Sequence, residues 1–230
     1  MPKFWPASRL GLASCLLLGV MPAATVAKDL SKYRNFQLGT DLPTIAKQVG
    51  ASASQAKAIQ LRPALIQELE WRPQSLGSSA QTESVQEVVF SFYNGELFRI
   101  AIKYDRYETE GMTADDLIGA ISGAYGIAEK PIPSANAIKE QYGNQEEIIA
   151  RWQDSKNCFS LIRSSYGPSF RLVGVLKRLE APVQTSITEA KRLDDQEAPQ
   201  RDAARIAGEK ETEQARLEKS RLVNKPKFRP

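Results

Sequence analysis

The chain has 230 residues, a formal net charge of +4 at pH 7, two cysteines and no histidine. With no histidine and only one cysteine, Cys158, beyond residue 27, the sequence excludes a zinc site, a Cys/His nucleophile pair and the usual serine triad, because these sites need histidine or several cysteines. The weak positive charge predicts no general attraction to nucleic acid. We expect no catalytic residue, no cofactor and no metal.

Residues 1–27 have the order of a secretory signal peptide, with basic Lys3 and Arg9, an apolar run and small residues up to Ala27. The run is too short to cross a bilayer, which takes about 20 apolar residues, and no later segment predicts a transmembrane span. We expect cleavage near Ala27 and a periplasmic or secreted protein of formal charge +2. The alternative is a lipoprotein attached through Cys15, but Cys15 lies inside the apolar run instead of closing it.

Two similar helix starts lie 72 residues apart, at Gly39 and Gly111. Asp41 and Thr113 are each placed to cap a helix, and Thr113 with Asp116 has the pattern of a capping box. Apolar residues four positions apart then predict one buried face on each helix, namely Ile45 with Val49 and Leu117 with Ile121. Gly50 and Gly126 are expected near the two helix ends.

Strand-like segments after the two helix starts also resemble each other in pairs. Residues 70–72 resemble 151–153, residues 90–91 resemble 159–160, and residues 97–100 resemble 169–172. We therefore predict an α+β fold made by tandem duplication of a helix plus a three-stranded antiparallel meander, followed by a charged helical or disordered tail. The expected boundaries are a signal peptide at 1–27, repeats at 28–110 and 111–180, and the tail at 181–230.

The Asn94-Gly95 pair predicts a type I′ hairpin turn, because both central residues of such a turn need positive φ. A two-residue turn pairs Phe92 with Leu97, and continued pairing then puts Phe90 opposite Arg99 and Ser91 opposite Phe98. One face of the sheet is expected to cover the helices: Val89, Phe98, Ile100, Ile102 and Tyr104 in the first copy, and Cys158, Phe170, Leu172 and Leu176 in the second. Cys158 is accordingly expected to be an inert buried thiol.

The other face of the predicted sheet combines apolar residues with arginine in both copies. The structural explanation is that the other copy or a terminal segment covers this face and buries it. The functional explanation is a partner-binding surface, since aromatic residues and arginine are enriched at the centres of protein interfaces. The candidate partner-binding residues are Phe90, Phe92, Leu97, Arg99, Phe159, Leu161 and Arg171.

The run Gly-Met-Thr-x-x-Asp-Leu at 111–117 opens a helix before a meander, and in this it resembles the repeat unit of two groups of envelope proteins. These are the outer-membrane assembly lipoproteins of the BamE type and the beta-lactamase inhibitory protein, a tandem duplication of such a unit. The first copy departs from this pattern with Thr40-Asp41-Leu42-Pro43. The resemblance implies a tandem helix-plus-sheet fold whose curved sheet holds a protein partner.

From Ala181 onward the composition is charged and poor in apolar residues, so the tail is expected to leave the core. Truncation after Glu180 should therefore leave the fold almost as stable. Residues 201–223 suit a helix with acidic-before-basic pairs three apart. The pairs are Asp202/Arg205, Glu213/Arg216 and Glu218/Arg221. No heptad is sustained, which predicts a solvated or partly disordered helix instead of a coiled coil, with a partner-binding tail as the alternative.

Five carboxylates surround the second helix start: Asp105, Glu108, Glu110, Asp115 and Asp116. Paired acids hydrolyse glycosides and clustered acids bind calcium, but acids near a helix N-terminus also interact favourably with its dipole. The leading functional hypothesis is a non-catalytic cell-envelope module that binds an envelope protein. The competing hypotheses are a tethering protein that acts through its tail and, remotely, an envelope hydrolase.

Overall fold

The computed structural model describes residues 28–73, 84–130, 137–139, 145–164, 169–227 and 229. The leader and Cys15 lie outside the described residues. The helices are α1 (Leu42–Gln48), α2 (Ala114–Tyr125) and α3 (Lys177–Asn224). The strands are β1 (Lys32–Tyr33), β2 (Phe36–Gln37), β3 (Lys57–Gln60), β4 (Ile66–Trp71), β5 (Val85–Tyr93), β6 (Glu96–Tyr104), β7 (Ala137–Lys139), β8 (Gln145–Gln153), β9 (Asn157–Ser164) and β10 (Phe170–Leu176).

Strands β3 to β10 form one antiparallel sheet in the order β3-β4-β5-β6-β10-β9-β8-β7, while β1 and β2 form a separate two-stranded sheet. The predicted α+β class is confirmed. The predicted three-stranded meander is wrong, because four strands follow each of α1 and α2 within the described residues. The additional strands, β3 and β7, are short edge strands of four and three residues, too short for alternation to predict them.

The local signals at the two helix starts and at the hairpin are confirmed. The Asp41 carboxylate accepts a hydrogen bond from the Thr44 backbone N–H at 3.1 Å, and Thr113 and Asp116 form the reciprocal capping box. Asn94 and Gly95 have φ values of 49° and 85°, as a type I′ turn requires. These features depend only on neighbouring residues, which is why they can be predicted without the rest of the fold.

The pairing of β5 with β6 corrects the predicted register beyond the turn. Phe92 pairs with Leu97 as expected, but Ser91 pairs with Arg99 because Phe98 is an extra residue that forms a β-bulge. Phe90 consequently pairs with Ile100 instead of Arg99. The bulge moves Arg99 to the opposite face of the sheet from Phe90 and Phe92.

A corresponding correction applies in the second half of the sheet. Phe159 pairs with Gly174 and Leu161 with Leu172, so both share a face with Leu172 and with Phe170, two positions away. Cys158 pairs with Val175 and lies on the opposite face, half-buried. The prediction that Cys158 lies on the core face is therefore wrong. The prediction that Val89 lies on the core face is also wrong, because Val89 pairs with Ala101 and packs in the second cluster, away from the main core.

One main core covers a single face of the sheet. Helix α1 contributes Leu42, Ile45 and Ala46, and helix α2 contributes Leu117 and Ile121. The segment around the small sheet adds Leu30, Tyr33, Phe36 and Leu38. The sheet itself buries its largest side chains on this face, among them Trp152, Phe90, Phe92, Phe159, Leu97 and Leu161. Burial of such residues supplies most of the free energy that stabilises the fold.

Helix α3 is a continuous 48-residue helix, longer than the predicted helix over 201–223. Leu179 and Val183 belong to the main core, and the Ser186 hydroxyl lies 3.2 Å from the Tyr93 hydroxyl. Further along, Arg62 forms an ion pair with Glu197. The expected boundary at 180/181 is therefore too early, because the first turns of the helix pack on the sheet.

The remainder of α3 agrees with the prediction of a solvated helix. Every described residue from 199 to 227 is exposed. The three predicted ion pairs are present, with N–O distances of 3.7 Å for Asp202/Arg205, 2.6 Å for Glu213/Arg216 and 3.2 Å for Glu218/Arg221. Such pairs stabilise an exposed helix by a few tenths of a kcal/mol each.

Truncation should separate these two parts of α3. Ending the chain after Glu180 removes the buried Val183 and Ser186, and we expect a loss of about 2 kcal/mol and a fall in Tm of roughly 5 °C. Ending it after Gln200 removes only exposed residues and should leave Tm unchanged. Thermal unfolding followed by circular dichroism measures both. Equal Tm values for the two truncated proteins would show that the start of α3 adds nothing to the core.

Candidate functional site

The seven candidate partner-binding residues do not share one surface. Phe90, Phe92, Leu97, Phe159 and Leu161 have 0% of their surface exposed and belong to the main core. Arg99 and Arg171 lie on the other face, which we call the outer face. The prediction of one mixed apolar and arginine surface is therefore wrong. Its five apolar members are buried, but in the main core to which α1 and α2 contribute, and not on a separate face covered by the other copy or by a terminal segment.

The outer face has its own apolar centre. Ala101, Ile148, Ile162 and Val173 are buried there, with Val89 and Val175 packed against them. All six side chains come from β5, β6, β8, β9 and β10. The apolar residues that the three helices bury all belong to the main core, so within the described part of the chain no helix contributes to this cluster.

Sequence reasoning missed this centre although a signal was present. Residues 172–176 read Leu-Val-Gly-Val-Leu, a continuous apolar run. Such a run is typical of a strand with apolar neighbours on both faces, whereas a strand with one solvated face alternates. In β10 the leucines enter the main core and the two valines lie on the outer face.

Arg99 lies beside this apolar centre. Its neighbours across the sheet are Ser91 on β5 and Val175 on β10. Burial and the nearby Arg171 lower the pKa of the Arg99 guanidinium, while the carboxylates of Glu68 and Glu146 act in the opposite direction. Among the described residues, none forms a hydrogen bond or a close ion pair with the Arg99 guanidinium. A guanidinium remains charged at neutral pH even when it is partly desolvated.

Arg171 occupies the matching position on the other central strand. Ala101 pairs with Val173 at the centre of the β6–β10 pair, and Arg99 and Arg171 each lie two residues before that point. Arg171 forms an ion pair with Glu146 of β8. The two arginines thus differ in environment, because one already has a carboxylate partner.

A polar cleft of about 290 Å³ lies next to Arg171 at one end of the outer face. Its lining includes Glu87, Lys103, Glu146 and Ile162. Glu68 and Glu87 are half-buried on the β4–β5 side, and Glu68 accepts a hydrogen bond from the Ser91 hydroxyl at 3.1 Å. The outer face therefore has an apolar centre, with Arg99 and Arg171 beside it on β6 and β10, and carboxylates at Glu68, Glu87 and Glu146 on β4, β5 and β8.

Two of the five carboxylates near the start of α2, Asp105 and Asp116, accept hydrogen bonds from neighbouring residues. Asp105 accepts hydrogen bonds from the backbone N–H groups of Tyr107 and Glu108 at 2.8 and 3.3 Å. Asp116 accepts from the Thr113 backbone and hydroxyl, and these hydrogen bonds lower its pKa. Hydrogen bonding to backbone donors is the ordinary role of acids at turns and helix starts.

Comparisons with known proteins add no further assignment. No family model, no curated protein and no solved structure matches the chain. Among the described residues, no helix combines the length and the apolar character that crossing a membrane requires.

Proposed function

We propose that the chain is exported, cleaved near Ala27, and acts in the cell envelope as a non-catalytic module that binds an envelope protein through its outer face. The observation that carries this proposal is the apolar centre of that face with Arg99 and Arg171 beside it. Apolar side chains bordered by arginine are the composition found at the centres of protein interfaces.

The contacts of Lys28 support a mature chain that begins at this residue. The Lys28 ammonium donates hydrogen bonds to the carbonyl oxygens of Ser122 and Gly123, each at 2.8 Å, near the C-terminus of α2. Cations are favourable at that end of a helix. Cleavage after Ala27 would leave these contacts and the buried Leu30 in the mature protein.

We further propose that the two halves arose by tandem duplication, as the resemblance to the BamE type and to the beta-lactamase inhibitory protein implies. Support comes from the equivalent positions of Arg99 and Arg171 and from Trp71 and Trp152, which face the main core in β4 and β8. Under this proposal the second aromatic match differs from the predicted one. The position of Phe90 corresponds to Leu161 instead of Phe159, because these two residues pair with equivalent positions of β6 and β10.

The second candidate function is tethering through α3. It is favoured by the exposure of every described residue from 199 to 227, among which Ile206, Leu217 and Leu222 are large apolar residues. A polar helix held by side-chain ion pairs can act as a spacer between a domain and a distant attachment point.

Site-directed cross-linking distinguishes the two functions. One protein carries Glu70→Cys, an exposed position on the outer-face side of β4, and the other carries Ser220→Cys on α3, both with Cys158→Ser. A benzophenone attached to the single cysteine is irradiated in intact envelopes. The binding function predicts a cross-linked envelope protein from position 70, and the tethering function predicts one from position 220.

Two controls complete the experiment. Intact mass of the exported protein checks that the chain begins near Lys28, and an N-terminal lipid on Cys15 would contradict that part of the proposal. Replacing Val173 by aspartate places an unpaired charge in the apolar centre and should abolish the cross-link from position 70. Cross-linking from position 220 alone would reject the outer face as the binding surface.

A further inference from the structure

We infer that the outer face recognises a protein segment in which a carboxylate is flanked by apolar side chains, with Arg99 as the group that receives the carboxylate. This inference rests on the proposed binding function and names the chemistry of the partner. The carboxylate belongs to a side chain or to the chain terminus of another protein.

Arg99 forms no hydrogen bond or close ion pair with a described residue. Arg72, Arg163, Arg171 and Arg178 each form an ion pair with a glutamate. Arg99 is half-buried and has no such contact among the described residues, although the carboxylates of Glu68 and Glu146 are near enough to raise its pKa against the effect of burial. A partly desolvated cation without a close anion is unfavourable, so a bound carboxylate would gain more here than at an exposed arginine.

Apolar residues lie next to Arg99 on the outer face. Val175 lies directly across from Arg99, and Val173 and Ala101 lie one position further along the same face. Val175 is half-buried, so an apolar side chain beside the carboxylate of a partner would contact Val175 at the edge of the buried cluster. A guanidinium binds a carboxylate through two parallel hydrogen bonds, which sets the orientation of the partner.

The β-bulge at Phe98 sets the face on which Arg99 lies. The bulge at Phe98 turns Arg99 away from the main core and toward the outer face. Without the extra residue, Arg99 would lie opposite Phe90, whose side chain is fully buried. Bulges often re-aim a side chain next to a functional site, and here the re-aimed side chain is the unpaired arginine.

A pair of matched peptides tests the inference on the full exported protein. The probes are the capped tripeptides acetyl-Val-Glu-Val-amide and acetyl-Val-Gln-Val-amide, which differ only in the carboxylate. Titration is followed by NMR through the Nε–H resonance of Arg99 and the methyl resonances of Val173 and Val175. The glutamate peptide should shift all three saturably, and the glutamine peptide should bind about tenfold more weakly, because a hydrogen bond to a charged group is lost.

Two variants provide the controls. Arg99→Gln should lower affinity for the glutamate peptide about tenfold and bring it to the level of the glutamine peptide. Arg163→Gln removes an arginine on β9 that is already paired with Glu147, and it should leave the affinity unchanged. Melting curves verify that both variants fold, and the wild-type peptide comparison remains decisive if one does not.

Several outcomes would overturn the inference. Equal affinity for the two peptides, or no saturable shift with either, would show that Arg99 does not select a carboxylate. A dimer seen by sedimentation and abolished by Arg99→Gln would assign the surface to a second copy of the chain. A cross-link from position 70 that survives Arg99→Gln would leave the binding function in place while rejecting this account of its partner, so the two failures are distinguishable.

Discussion

Replacing Phe92 by alanine is expected to lower the free energy of unfolding by about 3 to 5 kcal/mol. Phe92 has 0% of its surface exposed and lies in the main core, so the substitution removes buried apolar surface and leaves a cavity. Urea unfolding followed by tryptophan fluorescence measures the loss as a shift of the midpoint at unchanged slope. An effect below about 1 kcal/mol would contradict the burial of Phe92.

The matched control is Arg99→Ala, on the neighbouring strand of the same hairpin. Arg99 is half-buried on the outer face and has no ion pair among the described residues, so its removal should change stability by at most about 1 kcal/mol, well below the loss for Phe92→Ala. The double variant should show the sum of the two effects, because the side chains lie on opposite faces of the sheet. A loss of several kcal/mol for Arg99→Ala would contradict this division of the sheet.

The parts of the fold that could be predicted are those coded by adjacent residues. The caps at Asp41 and Thr113, the positive φ values at Asn94 and Gly95, and the ion pairs of the exposed tail each depend on residues at most four positions apart. The physical interactions at these places are local, so a short pattern contains the whole cause.

The assignment of faces failed because it depends on a bulge. A two-residue turn predicts a continuous ladder, and in that ladder Phe98 enters the core face while Phe90 and Arg99 share the other. In the structure Phe98 is the extra residue of the β6 bulge, and with this bulge both Phe90 and Phe98 are buried. That choice depends on how much apolar surface α1, α2 and the small sheet offer, which is not visible within the hairpin sequence.

The prediction that the chain leaves the core at Ala181 failed for a similar reason. Pro182 and the charged residues around it predict a chain that leaves the core, since proline inside a helix removes a backbone hydrogen bond. Leu179 and Val183 are nonetheless buried, and contacts to Tyr93 and Arg62 continue along the helix. Packing against the sheet therefore outweighs the local preference, whereas nothing in the described structure accounts for Pro199 in the exposed part of the helix.

Gly174 is the position in β10 at which the smallest substitution should have a large effect. A β-carbon added there would lie 2.4 Å from Cε1 and 2.7 Å from Cζ of Phe159. The Phe159 ring cannot easily move, because it is fully buried and stacks on Tyr125 with ring centroids 4.6 Å apart. We expect Gly174→Ala to lower the free energy of unfolding by about 3 kcal/mol, at the upper end of the cost of overpacking a core.

Two further variants show whether the Phe159 ring is the cause. Phe159→Leu removes the atoms that the new methyl group meets, so the double variant Gly174→Ala with Phe159→Leu should be less destabilised than the sum of its single changes, by roughly 1 kcal/mol or more. Gly119→Ala in α2 makes the same chemical change where, apart from the adjoining residues and the local helix backbone, no atom lies within 4 Å of the added carbon. That variant should be stabilised by roughly 0.5 to 1 kcal/mol, because alanine favours a helix over glycine. Chemical unfolding of all four proteins tests the account, and strict additivity in the double variant would place the strain elsewhere in β10.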